Sequence, residues 1–208
     1  MPRMRILSAS EQEAFDSPPL FNHEQRKQYF AFPNVLLDTA KTLRTPTSQV
    51  GFLLLCGYFK ATKRFFLPQD FGQRDIEAVA RELDLESTAF NPNEYTETTR
   101  LRQQKTILEF YGFQAFDSRS EALLGVEISA MARLHLQPRL IFDRCTDFLL
   151  QKRIQVPKAG TLAELIRLGL NQRKTELVKL MEAHLTDQAR HHRPALRDAW
   201  RVCPLAPG

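Results

Sequence analysis

Val50 to Phe59 reads VGFLLLCGYF, ten residues without a charged side chain. A membrane span needs roughly 20 apolar residues, so this run is about half the required length. It fits a buried helix instead. Thr45 is placed to cap it, and Pro46 suits the first helical turn. Phe52, Leu55, Cys56 and Phe59 then fall at helical spacing, while Leu53 and Leu54 add apolar surface on other sides. Such a helix must be covered nearly all round, so the other helices are expected to pack on it. Its ends are polar and basic: Arg44, Thr47, Ser48 and Gln49 at the start, then Lys60, Lys63 and Arg64. A buried rod with basic, wet ends is a plain scaffold. It is also a way to build a nucleic-acid binder.

The 208 residues suffice for one domain or two small ones with a real core. A hydrophobic content of 43% with only eight glycines argues for a folded globule rather than disorder. The net charge is +5, and it is unevenly placed. The window Arg139–Lys179 holds nine Lys/Arg against four Asp/Glu, so it accounts for the whole excess. A basic third on a neutral body points to a polyanion partner. Cys56, Cys145 and Cys203 are odd in number and lack CxxC spacing, which predicts free thiols in a reducing compartment. The N-terminal MPRMRILSASEQEAF has no long apolar stretch, so the expectation is a cytoplasmic protein without a signal peptide.

In chain order the punctuation predicts helices throughout. Ser8-x-x-Glu11 is a capping box for a helix to about Phe15, and Asn22 caps another over His23–Phe30. Asn34–Leu43 is amphipathic, with Val35, Leu36, Thr39, Ala40 and Leu43 read as its inner side. After the apolar helix, Phe65–Pro68 reads as an extended link. Gln73–Leu83 repeats Ile76, Val79, Ala80 and Leu83 at helical spacing. Thr96–Tyr111 is a long helix with Leu101, Leu108 and Tyr111 inward and Gly112 as its stop. Ser118-x-x-Glu121 is read as a further capping box, with that helix running to about Leu136. Gln137-Pro138 opens the next, to about Arg153. Thr161-x-x-Glu164 is read as the cap of a last helix to about Leu185, with Gly169 as a point where it could break. No useful strand alternation, repeat or low-complexity tract occurs. The predicted class is all-α.

Two stretches have the composition of a DNA reader. Ile76–Leu85 resembles the supporting helix of a helix-turn-helix, with small Ala80 where two helices would touch. Thr96–Lys105 would follow as the second helix, offering Thr99, Arg100, Arg102, Gln103 and Lys105 on its outer face. Arg and Gln make bidentate contacts to base edges, and Lys, Thr and Arg hold phosphates. An ordinary solvated helix face has the same composition, and the loop through Pro92 is longer than the simplest motif allows. Further along, Arg144, Lys152, Arg153 and Lys158 could neutralise phosphates, with Arg167, Arg173 and Lys174 behind them. A charged surface kept for solubility is the alternative. His23, His135, His184, His191 and His192 make no metal-spaced set, and neither a Gly-rich phosphate loop nor a nucleophile elbow occurs. No enzyme, metal or cofactor is expected of this chain.

The order of these blocks resembles the N-terminal region of Tn-three family transposases, the large replicative transposases of bacteria. The blocks are ILSASEQEAF; LRTPTSQVGFLLLCGYFK, similar to the family's Arg-x-x-x-Asn-Arg-Leu-Gly-Phe-x-x-x-Leu-Cys; FLPQDF; IEAVARELDL; TRLRQQKTILEFYGF, from Thr99 to Phe113; and RIQVPKAGTL, from Arg153 to Leu162. Ser48-Gln49-Val50 stands where the family often has Asn-Arg-Leu, and Gln103 where a His is expected. The resemblance implies recognition of the inverted repeats at transposon ends. It also implies that cutting and joining belong to a distant acidic, metal-dependent domain outside these residues.

The expected organisation is a helical DNA-binding unit over 1–117, a second basic helical unit over 118–185, and a poorly ordered tail over 186–208. LTDQAR, from Leu185, still resembles the family. HHRPALRDAWRVCPLAPG does not, which points to a frame change or early stop near Arg190. The expected partner is double-stranded DNA, with no membrane and no small-molecule substrate. The alternative is a regulatory fragment that associates with a full-length transposase or blocks it.

Overall fold

The computed structural model of the chain describes residues 5–134 and 136–184. Among them are nine α-helices: α1 Ala9–Asp16, α2 His23–Tyr29, α3 Asn34–Lys41, α4 Pro46–Thr62, α5 Gln73–Glu82, α6 Glu97–Tyr111, α7 Ser118–Arg133, α8 Pro138–Gln151 and α9 Ala159–His184. Two single 3-10 turns, Pro68–Asp70 and Ser87–Ala89, interrupt the links on either side of α5. The described residues contain no strand, only an isolated parallel bridge between Gln114 and Ile154. The class is all-α. The tail from 186 onward lies outside the described residues.

The apolar run is the axis of the first half. Thr45 caps α4 by accepting the amide of Ser48, and Pro46 fills the first turn, where a missing N–H costs nothing. Every residue from Val50 to Phe59 is buried. Helices α2, α3, α5 and α6 each pack against α4. Gly57 permits one of these contacts, because a Cβ there would sit 2.2 Å from the Phe30 ring. Phe30, Tyr58, Phe66, Phe71 and Phe90 extend an aromatic cluster around it. Burying side chains of this size contributes roughly 1.5–3 kcal/mol each, which explains why this helix organises its neighbours.

One polar network lies at the edge of that cluster, where Arg26, Tyr58 and Asp75 line a cavity with Phe21. The Tyr58 hydroxyl donates to Asp75 Oδ2 at 2.8 Å and accepts the Gly72 amide at 3.1 Å. Arg26 Nε meets Asp75 Oδ1 at 2.6 Å, and Arg26 also donates to the Phe21 carbonyl. Buried polar groups persist when each has a partner, and here each does. The network joins α2, α4 and α5.

The second core is formed by α7, α8 and α9, with Leu124, Ile128, Ile141, Phe142, Leu149, Leu162 and Ile166 inside. Ile6, Leu7 and Phe15 join it, so α1 packs with the C-terminal helices rather than with α4. Asp16 Oδ1 accepts the Ala159 amide at 2.8 Å, so the end of α1 satisfies the first N–H of α9. Gly169 does not break α9. It lies where the side chain of Ile128 crosses from α7, and a Cβ there would be 2.5 Å from Ile128 Cγ2.

Several local expectations are corrected. Asp117, not Ser118, caps α7, by accepting the Ser120 amide at 2.8 Å. Helix α9 begins at Ala159, two residues before the box read at Thr161. Val35 and Leu101 point outward, at 62% and 54% exposure. Most importantly, α5 and α6 are not the two arms of a helix-turn-helix. Each packs on α4, and the link between them carries a 3-10 turn. The longer link leaves each helix to bury apolar surface on α4, through Val79 and Ala80 on α5 and Ile107 on α6.

Candidate nucleic-acid interface

The residues proposed at the start of α4 are largely used by the fold itself. Thr47 is buried, donates to the Ala89 carbonyl at 3.1 Å and accepts the Asn91 amide. Ser48 accepts from the capping hydroxyl of Thr45. Gln49 Nε2 donates to the Leu43 carbonyl at 2.9 Å. Of the four residues proposed here, Arg44 alone is exposed.

Helix α6 is rotated from the sequence reading. Gln103, placed on the outer face by its neighbours, is 3% exposed. It bonds the Tyr95 hydroxyl and donates to the Ser48 carbonyl at 3.2 Å. The inner stripe runs through Arg100, Gln103, Ile107 and Tyr111, so a polar side chain occupies a core position. Hydrogen bonding to Tyr95 and Ser48 makes that position tolerable for an amide. Thr99 belongs to the cap of α6, where its amide and hydroxyl meet Thr96. Arg100 is half-buried and 3.7 Å from Glu97. Arg102 and Lys105 are exposed, with Lys105 4.0 Å from Glu109.

The remaining cations converge. The chain at Lys152–Lys158 runs beside the end of α4, where the Val156 amide donates to the Lys63 carbonyl at 3.1 Å. Gln114 fastens the same segment, donating to the Arg153 carbonyl and accepting the Gln155 amide, both at 2.8 Å. The C-terminal ends of α4, α6 and α8 therefore meet, at Lys63, Gly112 and Lys152. Phe113 sits at their centre. Lys63 Nζ and Arg153 Cζ each lie 6.0 Å from its ring, and Lys152 lies over Phe148. The sequence reading assigns no role to Phe113. Its only signal was an aromatic placed just after a helix-stopping glycine.

Part of this charge serves the helix ends. Helix C-termini carry partial negative charge, which favours cations. Lys63 Nζ donates to the Lys60 carbonyl at 2.6 Å, Lys60 Nζ to the carbonyls of Gln28 and Ala31, and Arg153 to the Tyr111 carbonyl at 3.3 Å. No carboxylate among the described residues lies within salt-bridge distance of Lys60, Lys63, Lys152 or Arg153. The Lys63 ammonium has its pKa lowered, by burial first and by nearby Lys60 second. The cluster is thus a region of uncompensated positive charge with aromatic rings beneath it. Arg144 is exposed on α8.

On the other side of this seam, Arg64, Arg100 and Lys158 line one cleft with Asp16 and Asp70. Arg64 stacks on Phe15 at 4.1 Å and donates to its carbonyl. No group of three or more His, Cys, Asp or Glu among the described residues is placed to hold a metal ion. Nor is any described helix long and apolar enough to cross a membrane.

Residues 6–168 match a family described as a domain of unknown function, DUF4158. The chain belongs to the DUF4158 family. The match takes in both hydrophobic cores, from Ile6 to Ile166, and every residue of the basic seam. DUF4158 is a domain found in transposase-associated proteins. No curated protein matches the chain.

Proposed function

We propose that the chain binds double-stranded DNA, and that it does so as the end-recognising part of a Tn-three family transposase without itself catalysing strand transfer. The observation that carries this reading is the juxtaposition of Lys63 with Lys152 and Arg153 around Phe113, along one hydrogen-bonded seam. Duplex DNA presents closely spaced phosphates, and cations without carboxylate partners gain affinity by releasing the counterions condensed on the DNA. Membership of a family found in transposase-associated proteins supports the same partner, as does the resemblance of the sequence blocks. Seam cations would hold the backbone, while Arg102 and Lys105 on the open side of α6 are the side chains free to reach base edges.

Fluorescence anisotropy against two duplexes of equal length tests this reading. One duplex carries the terminal inverted repeat of the associated transposon, and the other is scrambled. Tighter binding of the repeat by tenfold or more, about 1.4 kcal/mol, is expected. No binding of either duplex at low salt would refute the reading.

A second reading, association with another transposase chain, has one observation in its favour. Helix α7 exposes Leu123 and Val126, and Leu134 caps its end exposed, with Val126 at 72% and Leu134 at 71% exposure. Monomeric proteins seldom leave such rows uncovered. Size-exclusion chromatography at micromolar concentration separates a monomer from a self-associating chain.

A further inference from the structure

Two helical units meet at a cleft lined by Arg64, Arg100 and Lys158. Arg64 follows α4 and Arg100 lies on α6, both in the first core. Lys158 precedes α9, and Asp16 ends α1, both in the second. The three cations therefore come from both sides of the boundary. The cleft also holds two carboxylates, and neither is within salt-bridge distance of any of the three cations. Asp16 is turned to the Ala159 amide. Arg100 has only the looser contact with Glu97, on its own helix. Lys158 Nζ has no partner, and the Arg64 guanidinium is held by the Phe15 carbonyl and by the Phe15 and Phe66 rings. Burial lowers the Arg64 pKa, and the charge of Asp16 offsets only part of that.

We infer that this cleft is a phosphate seat, in which one phosphodiester of bound DNA is gripped by Arg100 and Lys158 over the positioned Arg64, fastening the two helical units together. The inference rests on the DNA-binding reading. It adds that a particular phosphate acts as a strut between units, rather than as one more contact on a basic surface. Guanidinium and ammonium side chains that line one cleft from three separate segments suit the tetrahedral oxygens of a phosphate. A ligand that bridges both units also stabilises the folded chain by mass action. Free inorganic phosphate shares this chemistry and is the other possible source of the ligand.

The experiment uses the full chain and the variants Lys158→Gln, Arg100→Gln and their combination. Lys158 is exposed, so Lys158→Gln is expected to fold and melt as the parent does. Affinity for duplex DNA is measured across a salt series. Each single variant should reduce the slope of log affinity on log salt by about 0.9, the value for one phosphate. The double variant should reduce it by the same amount, because both side chains hold the same group. Saturating duplex should raise the Tm of the parent by several degrees and that of Lys158→Gln by less.

An unchanged slope and an unchanged DNA-induced Tm rise in Lys158→Gln would overturn the seat. So would a double variant that loses twice the single slope, which would mark two independent surface contacts. If the parent binds no DNA at any salt, the DNA reading itself fails. Melting in inorganic phosphate then decides the seat alone. A rise in the parent that is absent from Lys158→Gln upholds it for free phosphate, and no rise in the parent removes it.

Discussion

The Val156 amide donates to the Lys63 carbonyl across 3.1 Å. This bond brings the linker before α9 against the end of α4. It joins two basic segments that are far apart in the sequence. It also ties together the two hydrophobic cores, since Phe59 belongs to one and Val156 to the other. The positive surface is thus a product of how the cores dock.

Gly57 is a sensitive point of the first core. Gly57→Ala places a methyl group 2.2 Å from the Phe30 ring, and the ring itself is packed against Phe21, Phe32 and Tyr58. Overpacking of this kind costs about 1–3 kcal/mol. Gly125→Ala on α7 meets nothing within 4 Å and should gain about 0.5–1 kcal/mol in helix preference. Urea unfolding of the two variants should shift in opposite directions. A Gly57→Ala chain as stable as the parent would show that the α2–α4 contact is looser than described.

Asp75 holds the buried network of α2, α4 and α5. Asp75→Ala leaves Arg26 and the Tyr58 hydroxyl without their shared acceptor, at a cost of about 3–5 kcal/mol. Tyr58→Phe keeps the ring packing and loses the hydroxyl bonds, at a cost of roughly 1–3 kcal/mol. Thermal melts should rank parent, Tyr58→Phe and Asp75→Ala in falling order. Equal melts for the two variants would place the hydroxyl, rather than the ion pair, at the centre of the network.

Two helix caps predict a response to acid. The Asp117 carboxylate has its pKa lowered chiefly by the Ser120 amide, and Glu11 chiefly by the Ser8 amide within its capping box. Each folded-state pKa lies below its unfolded value. Their stabilisation is therefore complete above the unfolded values, about 3.9 and 4.3, and is lost as pH falls through the folded values beneath them. Asp117→Asn keeps a neutral cap and should flatten its share of that decline. Chemical denaturation between about pH 5 and 2.5 checks this, and an identical acid profile for Asp117→Asn would exclude the cap as a cause.

Gln103 separates fold from recognition. Gln103→Ala should lower stability by about 1–3 kcal/mol, because it leaves the buried Tyr95 hydroxyl without its partner and removes the bond to the Ser48 carbonyl. Its effect on DNA sequence preference should be nil at temperatures where the chain remains folded. Arg102→Ala should do the reverse, with stability unchanged and discrimination between repeat and scrambled duplex reduced. A loss of discrimination from Gln103→Ala would return that side chain to the outer face.

The contrast between Gln103 and Thr45 shows what the sequence could convey. Capping by Thr45, the helical turn at Pro46 and the Gly112 stop are local events, decided by a few neighbouring residues, and all three occur as read. So does the burial of the apolar run, since no surface helix could carry it. The inward turn of Gln103 depends on Tyr95 and Ser48, neither of which is a helical neighbour of it. Asp16 satisfying the amide of Ala159 across the whole chain has no local signal at all. The candidate site follows the same pattern. Its two basic clusters were visible as clusters, while their meeting around Phe113 required the cores to be docked.

The most direct test of the central claim compares charge removal at two places in the DNA anisotropy assay. Lys152→Gln with Arg153→Asn removes two of the seam cations, and Asn tolerates the positive φ of 54 at that position. Arg102→Gln with Lys105→Gln empties the open face of α6. The seam pair should weaken binding of both duplexes alike and reduce the salt slope by one to two phosphate equivalents, about 0.9 each. The α6 pair should chiefly erode the preference for the repeat. Unchanged affinity and slope in the seam pair, in a chain that still melts as the parent does, would contradict the assignment of the seam as the DNA-binding surface.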